Sequence, residues 1–245
     1  MRPKIKADGD FSRHSNDHLP YQFRAGFILE RPLWYVLLQP WAATWRISVQ
    51  MHYRHPTSQL KQKLYFLMTL AAINLSMGAI MSGLKMPIYL DSLGLVIATL
   101  TIGLWGGLVC ALITVLVGFF LVNPYLPAYL GTAITIVLLV LILRRLGFFK
   151  NWWKGVMAGV VIAVFAAAAS APVTALVFGG VTLSGNDAIT ALFLSQGIEI
   201  LQAAFLSGLT SELIDKTIIC VCAIAILNSL PSRFYLRFGL KSLAR

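Results

Sequence analysis

Acidic residues are scarce in this chain of 245 residues: nine Asp and Glu stand against 20 Lys and Arg, and charged residues of both signs make up only 12%. Hydrophobic residues make up 58%. An ordinary soluble domain carries about a quarter of its residues as charges, so a single soluble globular domain is excluded and a membrane protein is expected. Cysteine is rare as well. Cys110, Cys220 and Cys222 all lie within apolar runs, at spacings that fit neither a disulfide framework nor a zinc site. Histidine is missing from the apolar runs. His14, His18, His52 and His55 all precede them, and His52 with His55, three positions apart, is too small a set for a metal centre. The sequence contains no GxSxG, no HExxH and no P-loop. ATP hydrolysis by this chain alone is therefore excluded, and no enzyme activity, cofactor or metal is expected. The first thirty residues lack the apolar core and small-residue cleavage site of a signal peptide, so the spans themselves are expected to direct insertion.

The formal charge of +11 would suggest a nucleic-acid partner in a soluble chain, but its distribution reads as membrane topology. Ten of the basic residues, from Arg2 to Lys63, precede the first long apolar run, and most of the rest cluster between or after such runs. A spanning helix needs about 20 mainly apolar residues. Candidates lie at residues 64–84, 90–104, 105–122, 125–143 and 155–178, with Gly103, Gly106 and Gly107 suited to a tight reversal between the second and third. The last apolar region, 188–230, would measure about 60 Å as one helix and must break. Breaks are expected near Gly197 and Gly208, with the final span at 209–230. Arg144, Arg145, Lys150 and Lys154 mark one loop as cytoplasmic, and Arg233, Arg237, Lys241 and Arg245 place the C-terminus on the same side.

The expectation is an all-α integral membrane protein of six transmembrane helices with both termini cytoplasmic. An amphipathic or re-entrant element precedes the last span on the outer side. Residues 1–63 form a basic N-terminal extension, 64–230 the membrane domain and 231–245 a basic tail. Within the extension, Trp34, Tyr35, Trp41 and Trp45 with Pro32 and Pro40 suit a segment lying in the membrane interface.

Charges in or beside spans are costly and mark candidate function. By this topology Tyr89, Asp91, Asn123, Tyr125, Thr182, Ser184, Asn186, Asp187 and Glu199 gather on the outer side, where aromatic and hydrogen-bonding groups from separate loops can build a small-molecule pocket. Solvated loops are the plainer alternative. Asp91 and Asp187 each open an apolar helix, where a carboxylate caps exposed N–H groups or helps hold a ligand. Ser195, Glu199 and Gln202 fall at helical spacing and predict a polar stripe, serving as a lid face or as a surface facing water. Glu212 and Lys216, four apart, predict a structural salt bridge with Asp215 beside it. Small residues at Ala72 and Ser76, at Gly78 and Ser82, and from Ala166 to Ala171 predict close helix contacts, internal or with a partner. Pro172 predicts a kink.

Three runs carry a resemblance to a known family: MPIYLDSLG from Met86 to Gly94, PVTALVFGGVTLSGND from Pro172 to Asp187, and SELIDK from Ser211 to Lys216. They resemble the S components of energy-coupling factor (ECF) transporters. The resemblance implies a multi-pass protein of the bacterial inner membrane that captures a vitamin from outside without covalent chemistry, docking onto a transmembrane coupling subunit and ATPase subunits. Docking in that family commonly uses Ala-x-x-x-Ala on the first helix. Ala72 and Ser76 are the nearest match here, and the basic extension is a further departure.

Capture of a vitamin-like metabolite for uptake is the leading expectation. A sensory membrane module is the alternative, disfavoured because the chain has no kinase or cyclase domain. A lipid or isoprenoid enzyme would need Asp187, Glu199 and Asp215 as acid, base or metal ligands, and their spacing is too loose.

Overall fold

The computed structural model of the chain describes residues 56–182 and 184–238, and every regular element among them is helical. The interfacial segment at 33–50, the four histidines and the last basic residues Lys241 and Arg245 lie outside the described residues. Eight α-helices follow in order: α1 Pro56–Gly83, α2 Leu93–Thr101, α3 Leu104–Leu121, α4 Leu130–Arg145, α5 Trp152–Pro172, α6 Asp187–Ser195, α7 Ile200–Ser229 and α8 Ser232–Phe238. Among the described residues, four helical segments are long and apolar enough to cross a membrane, at Gln59–Gly83, Leu104–Leu121, Leu126–Arg145 and Trp152–Val177. Their outward faces are apolar too. Leu112, Leu116, Phe120, Leu138, Ile142 and Phe165 are all exposed, as helices covered by lipid require. The architecture is that of a helical membrane protein.

Small residues decide which helices touch. In α1 the buried positions Leu67, Leu70, Ala71 and Asn74 recur at the helical period, and Gly94 of α2 sits directly on the carbonyl of Leu70. Gly159 of α5 abuts the backbone of Lys216 and Thr217, while Gly208 of α7 faces Ala167 and Ser170. Any larger residue at Gly159 would push α5 and α7 apart. The crowding from Ala166 to Ala171 thus serves the internal α5–α7 contact, whereas Ala72 and Ser76 lie exposed on the outer face of α1.

Several expectations need correction. The second apolar run, 90–104, folds as the nine-residue α2, about 14 Å long, because the residues before Leu93 form an irregular connection. From Gly94 to Thr101 α2 is buried on every side, so neighbouring helices surround it and no face is left for lipid. Gly103 alone makes the reversal, at φ 99°. Gly106 and Gly107 lie inside α3 and admit Ile102, Thr99 and Val137. After Pro172 the hydrogen bonding shifts to one π turn, Val173–Val177; proline has no N–H for the α register and the chain takes up the wider one. The 188–230 region breaks at Gly197, φ 81°, but not at Gly208, where the missing side chain lets α5 approach. The break also dismantles the stripe: Ser195 ends α6, Glu199 precedes α7 and Gln202 lies in its first turn.

Candidate functional site

Three irregular connections and the helix ends beside them enclose a cavity of about 230 Å³, a little under the about 300–1,000 Å³ of drug-sized ligand sites. The connection at 84–92 contributes Met86, Ile88, Tyr89 and Asp91; that at 122–129 contributes Asn123, Tyr125 and Tyr129; the loop before α6 contributes Thr182, Ser184 and Asn186. Helix α4 starts at this cavity with Thr132 and ends with Arg144 and Arg145, about 20 Å away along the helix. The cavity and the basic cluster therefore occupy opposite ends of α4.

Backbone geometry shapes the first connection. Lys85 and Leu90 both take left-handed φ, 50° and 51°, a costly region for residues with a side chain. Two contacts hold them. The Leu90 N–H donates to Asp215 Oδ1 at 2.5 Å, and Gly185 packs so tightly on the Lys85 carbonyl that a Cβ has no room. The third connection is braced from within. Asp187 Oδ1 accepts the Thr182 N–H at 2.9 Å and the Thr182 hydroxyl at 2.8 Å. Ser211 of α7 donates to Asn186 Oδ1 at 2.5 Å, and Thr190 donates to Ser207 at 2.8 Å.

The capping roles expected of Asp91 and Asp187 are not adopted. Ser92 and Asn186 occupy the N-cap positions of α2 and α6, neither with a side-chain cap bond. The N–H of Gly94 in the first turn of α2 is satisfied by Asn74 Oδ1 of α1 at 2.6 Å, and Asn74 Nδ2 reaches Thr114 of α3 at 3.3 Å. One amide thus joins three helices beside the cavity.

The second connection is aromatic. Phe178 stands 4.8 Å from Tyr125 and is stacked at 5.8 Å on Tyr129 (centroid distances), within the range of favourable ring pairs; Tyr129 also shares a 3.0 Å hydrogen bond with Thr174. Tyr89 is half-buried, and its withdrawal from water pushes its phenol above the usual range, so it meets a ligand as a neutral donor or acceptor.

Helix α7 closes the cavity with Glu212 and Lys216. Lys216 Nζ lies 2.8 Å from Glu212 Oε2 and also pairs with Asp215 Oδ2. The expected Glu212–Lys216 bridge is present, and the geometry adds that it forms part of the cavity wall. Glu212 Oε2 is thus held by that ammonium. The Ser92 and Thr132 hydroxyls, both in the wall, are buried without a hydrogen-bond partner among the described residues.

Of the nine candidate binding residues, Tyr89, Asp91, Asn123, Tyr125, Thr182, Ser184 and Asn186 line the cavity. Asp187 stands behind it, holding Thr182, and Glu199 is exposed at the α6–α7 hinge, outside the wall. Asn74, Tyr129, Thr132, Thr174 and Thr190 line the wall without having stood out in the sequence, since each sits within an apolar run where a polar residue reads as ordinary helix content. Among the described residues no three His, Cys, Asp or Glu side chains are grouped to hold a metal ion. Comparison with protein-family models, with curated proteins and with solved structures found no match.

Proposed function

We propose that the chain is a substrate-binding membrane subunit that captures a vitamin or related small metabolite from the outer side for ATP-driven uptake, as the S component of an ECF-type transporter. The observation that carries the reading is the cavity: three separate connections converge on it, with aromatic rings, fixed amides and hydroxyls over an apolar lining, which is what recognition of a small molecule requires. Six crossings formed by α1, α2, α3, α4, α5 and α7 place both termini in the cytoplasm. In that arrangement Arg144 and Arg145 face inward, as the positive-inside rule demands, and the cavity opens outward. α2 makes its crossing as a short buried helix, and α6 is the outer element before the last span. The chain works in the bacterial inner membrane. With no nucleotide-binding motif of its own, it depends on ATPase subunits reached through a transmembrane coupling subunit, and the exposed Ala72 and Ser76 on α1 are the docking positions.

The test is to purify the full chain, denature it and identify the released small molecule by mass and absorbance spectra. A vitamin-like compound in near-stoichiometric amount is the expected result. A preparation that releases nothing, and whose melting temperature no member of a vitamin panel raises, would remove capture as the function.

A further inference from the structure

The cavity's unbalanced charge goes further than its shape. Lys216 is its one basic lining residue among the described residues, facing Asp91 and Glu212 in the same wall, with Asp215 directly behind. All three carboxyl groups are within electrostatic reach of that ammonium. One ammonium neutralises one carboxylate, and Lys216 is already engaged on two sides by Asp215 and Glu212. Asp91 makes no ion pair and no side-chain hydrogen bond to another residue among the described residues. Asp91 is half-buried, and a carboxylate left over in a partly dry wall is favoured by a positive or proton-donating group beside it.

A second, independent observation marks where the completing group sits. Ser92 and Thr132 are 5% and 8% exposed, each carries a hydroxyl without a hydrogen-bond partner among the described residues, and both belong to this wall. Buried polar atoms are normally paired, so two open hydroxyls in one cavity wall mark where the polar groups of a bound molecule would be received. An anion is disfavoured: it would find Lys216 occupied and would face Glu212 Oε2 and Asp91. Among the described residues no three His, Cys, Asp or Glu side chains are grouped for a metal ion.

We infer that the occupant is a small aromatic or heteroaromatic compound bearing a positively charged nitrogen, whose cationic end meets Glu212 and Asp91 and whose ring lies toward Tyr125 and Tyr129. This inference rests on the capture reading. Tyrosine faces attract cations as well as rings, so both ends of the occupant are served, and the Ser92 and Thr132 hydroxyls take its remaining hydrogen bonds.

The experiment uses the full-length protein in detergent and two matched sets of probes: tryptamine, tryptophol and indole-3-propionate, then benzylamine, benzyl alcohol and benzoate. Binding is read by thermal shift and calorimetry, and any compound released on denaturation is identified by mass spectrometry. The amine of at least one set is expected to bind about tenfold tighter than its alcohol, the worth of one charged hydrogen bond, with the carboxylate weakest. Asp91→Asn, which breaks no ion pair, should erase that preference; Glu212→Gln should do the same if it folds. An alcohol or carboxylate that binds as well as its amine would overturn the charge assignment and leave capture standing. If no probe binds, the released compound decides: a cation supports the assignment, and a neutral or anionic compound overturns it. If no probe binds and nothing is released, the vitamin panel decides: a cationic member that raises the melting temperature supports the assignment, a neutral or anionic one overturns it, and none at all removes the capture reading as well.

Discussion

The Leu90 N–H and the Asp215 carboxylate meet at 2.5 Å although 125 positions separate them in the chain. Asp215 is fully buried, and its other oxygen holds Lys216. One side chain therefore fixes the left-handed turn over the cavity and balances the ammonium in its wall. Asp215→Ala removes both functions and leaves Lys216 leaning on Glu212 alone. Breaking a buried pair from one side costs about 3–5 kcal/mol, so a marked fall in melting temperature is expected in detergent. Asp215→Asn keeps an acceptor for Leu90 and should fall between the variant and the parent. Equal losses in the two would mean that the charge matters and the Leu90 bond does not.

Asn74 does for α2 what a local cap does for most helices. Its Oδ1 accepts from Gly94 while its amide reaches Thr114. Replacing it by Ala leaves a buried first-turn N–H without a partner, at a cost of about 1–3 kcal/mol. Hydrogen exchange read by mass spectrometry should show faster exchange in peptides covering α2, with α5 and α7 little changed. A uniform rise across the chain would assign Asn74 to global stability instead.

How much of this was readable in the sequence depends on the range of the interaction. The loops carrying Tyr89, Asn123, Tyr125, Thr182 and Asn186 stand out because polar residues there interrupt apolar runs, and these residues line one cavity. Glu212 and Lys216 are legible as a pair because four-residue spacing is local. Their place in the cavity wall is set by Gly159 and Gly208, which seat α7 against α5, and no local pattern reports that. The polar stripe through Ser195, Glu199 and Gln202 fails for one local reason: the left-handed turn at Gly197 separates residues that an unbroken helix would align. Asn74 is the hardest case. A lone amide in an apolar run gives no sign that its partners lie 20 and 40 positions away.

Gly185 tests whether the first and third connections act as one unit. A Cβ at this position would run into the carbonyl of Lys85 and the backbone of Met86, and backbone cannot move aside as a flexible side chain can. Gly185→Ala should cost about 1–3 kcal/mol as overpacking and weaken retention of any co-purified ligand. Gly131→Ala in the first turn of α4, where nothing lies within 4 Å of the added atom, should show no loss. The comparison is a pair of melting curves with and without added ligand. A harmless Gly185→Ala would show that the two connections move independently.

The exposed face of α1 separates binding from transport. Ala72 and Ser76 occupy successive turns, and both are exposed, so enlarging them leaves the fold and the cavity undisturbed. If the proposed coupling subunit approaches this face, small side chains let its backbone come close and a leucine at each position holds it off. The Ala72→Leu, Ser76→Leu double variant should insert, melt within a degree or so of the parent and keep its ligand affinity, because surface changes move stability by only about 0.5 kcal/mol. Uptake into cells or vesicles containing the energising subunits should fall at least about tenfold, the effect of roughly 1.4 kcal/mol lost at the contact. Full uptake with binding intact would move docking to another exposed apolar face, and the side of α4 bearing Leu138 and Ile142 would be the next to alter. Loss of binding in the double variant would instead mean that the outward face of α1 is coupled to the cavity through Asn74 and Gly78, which line it from the other side of the same helix.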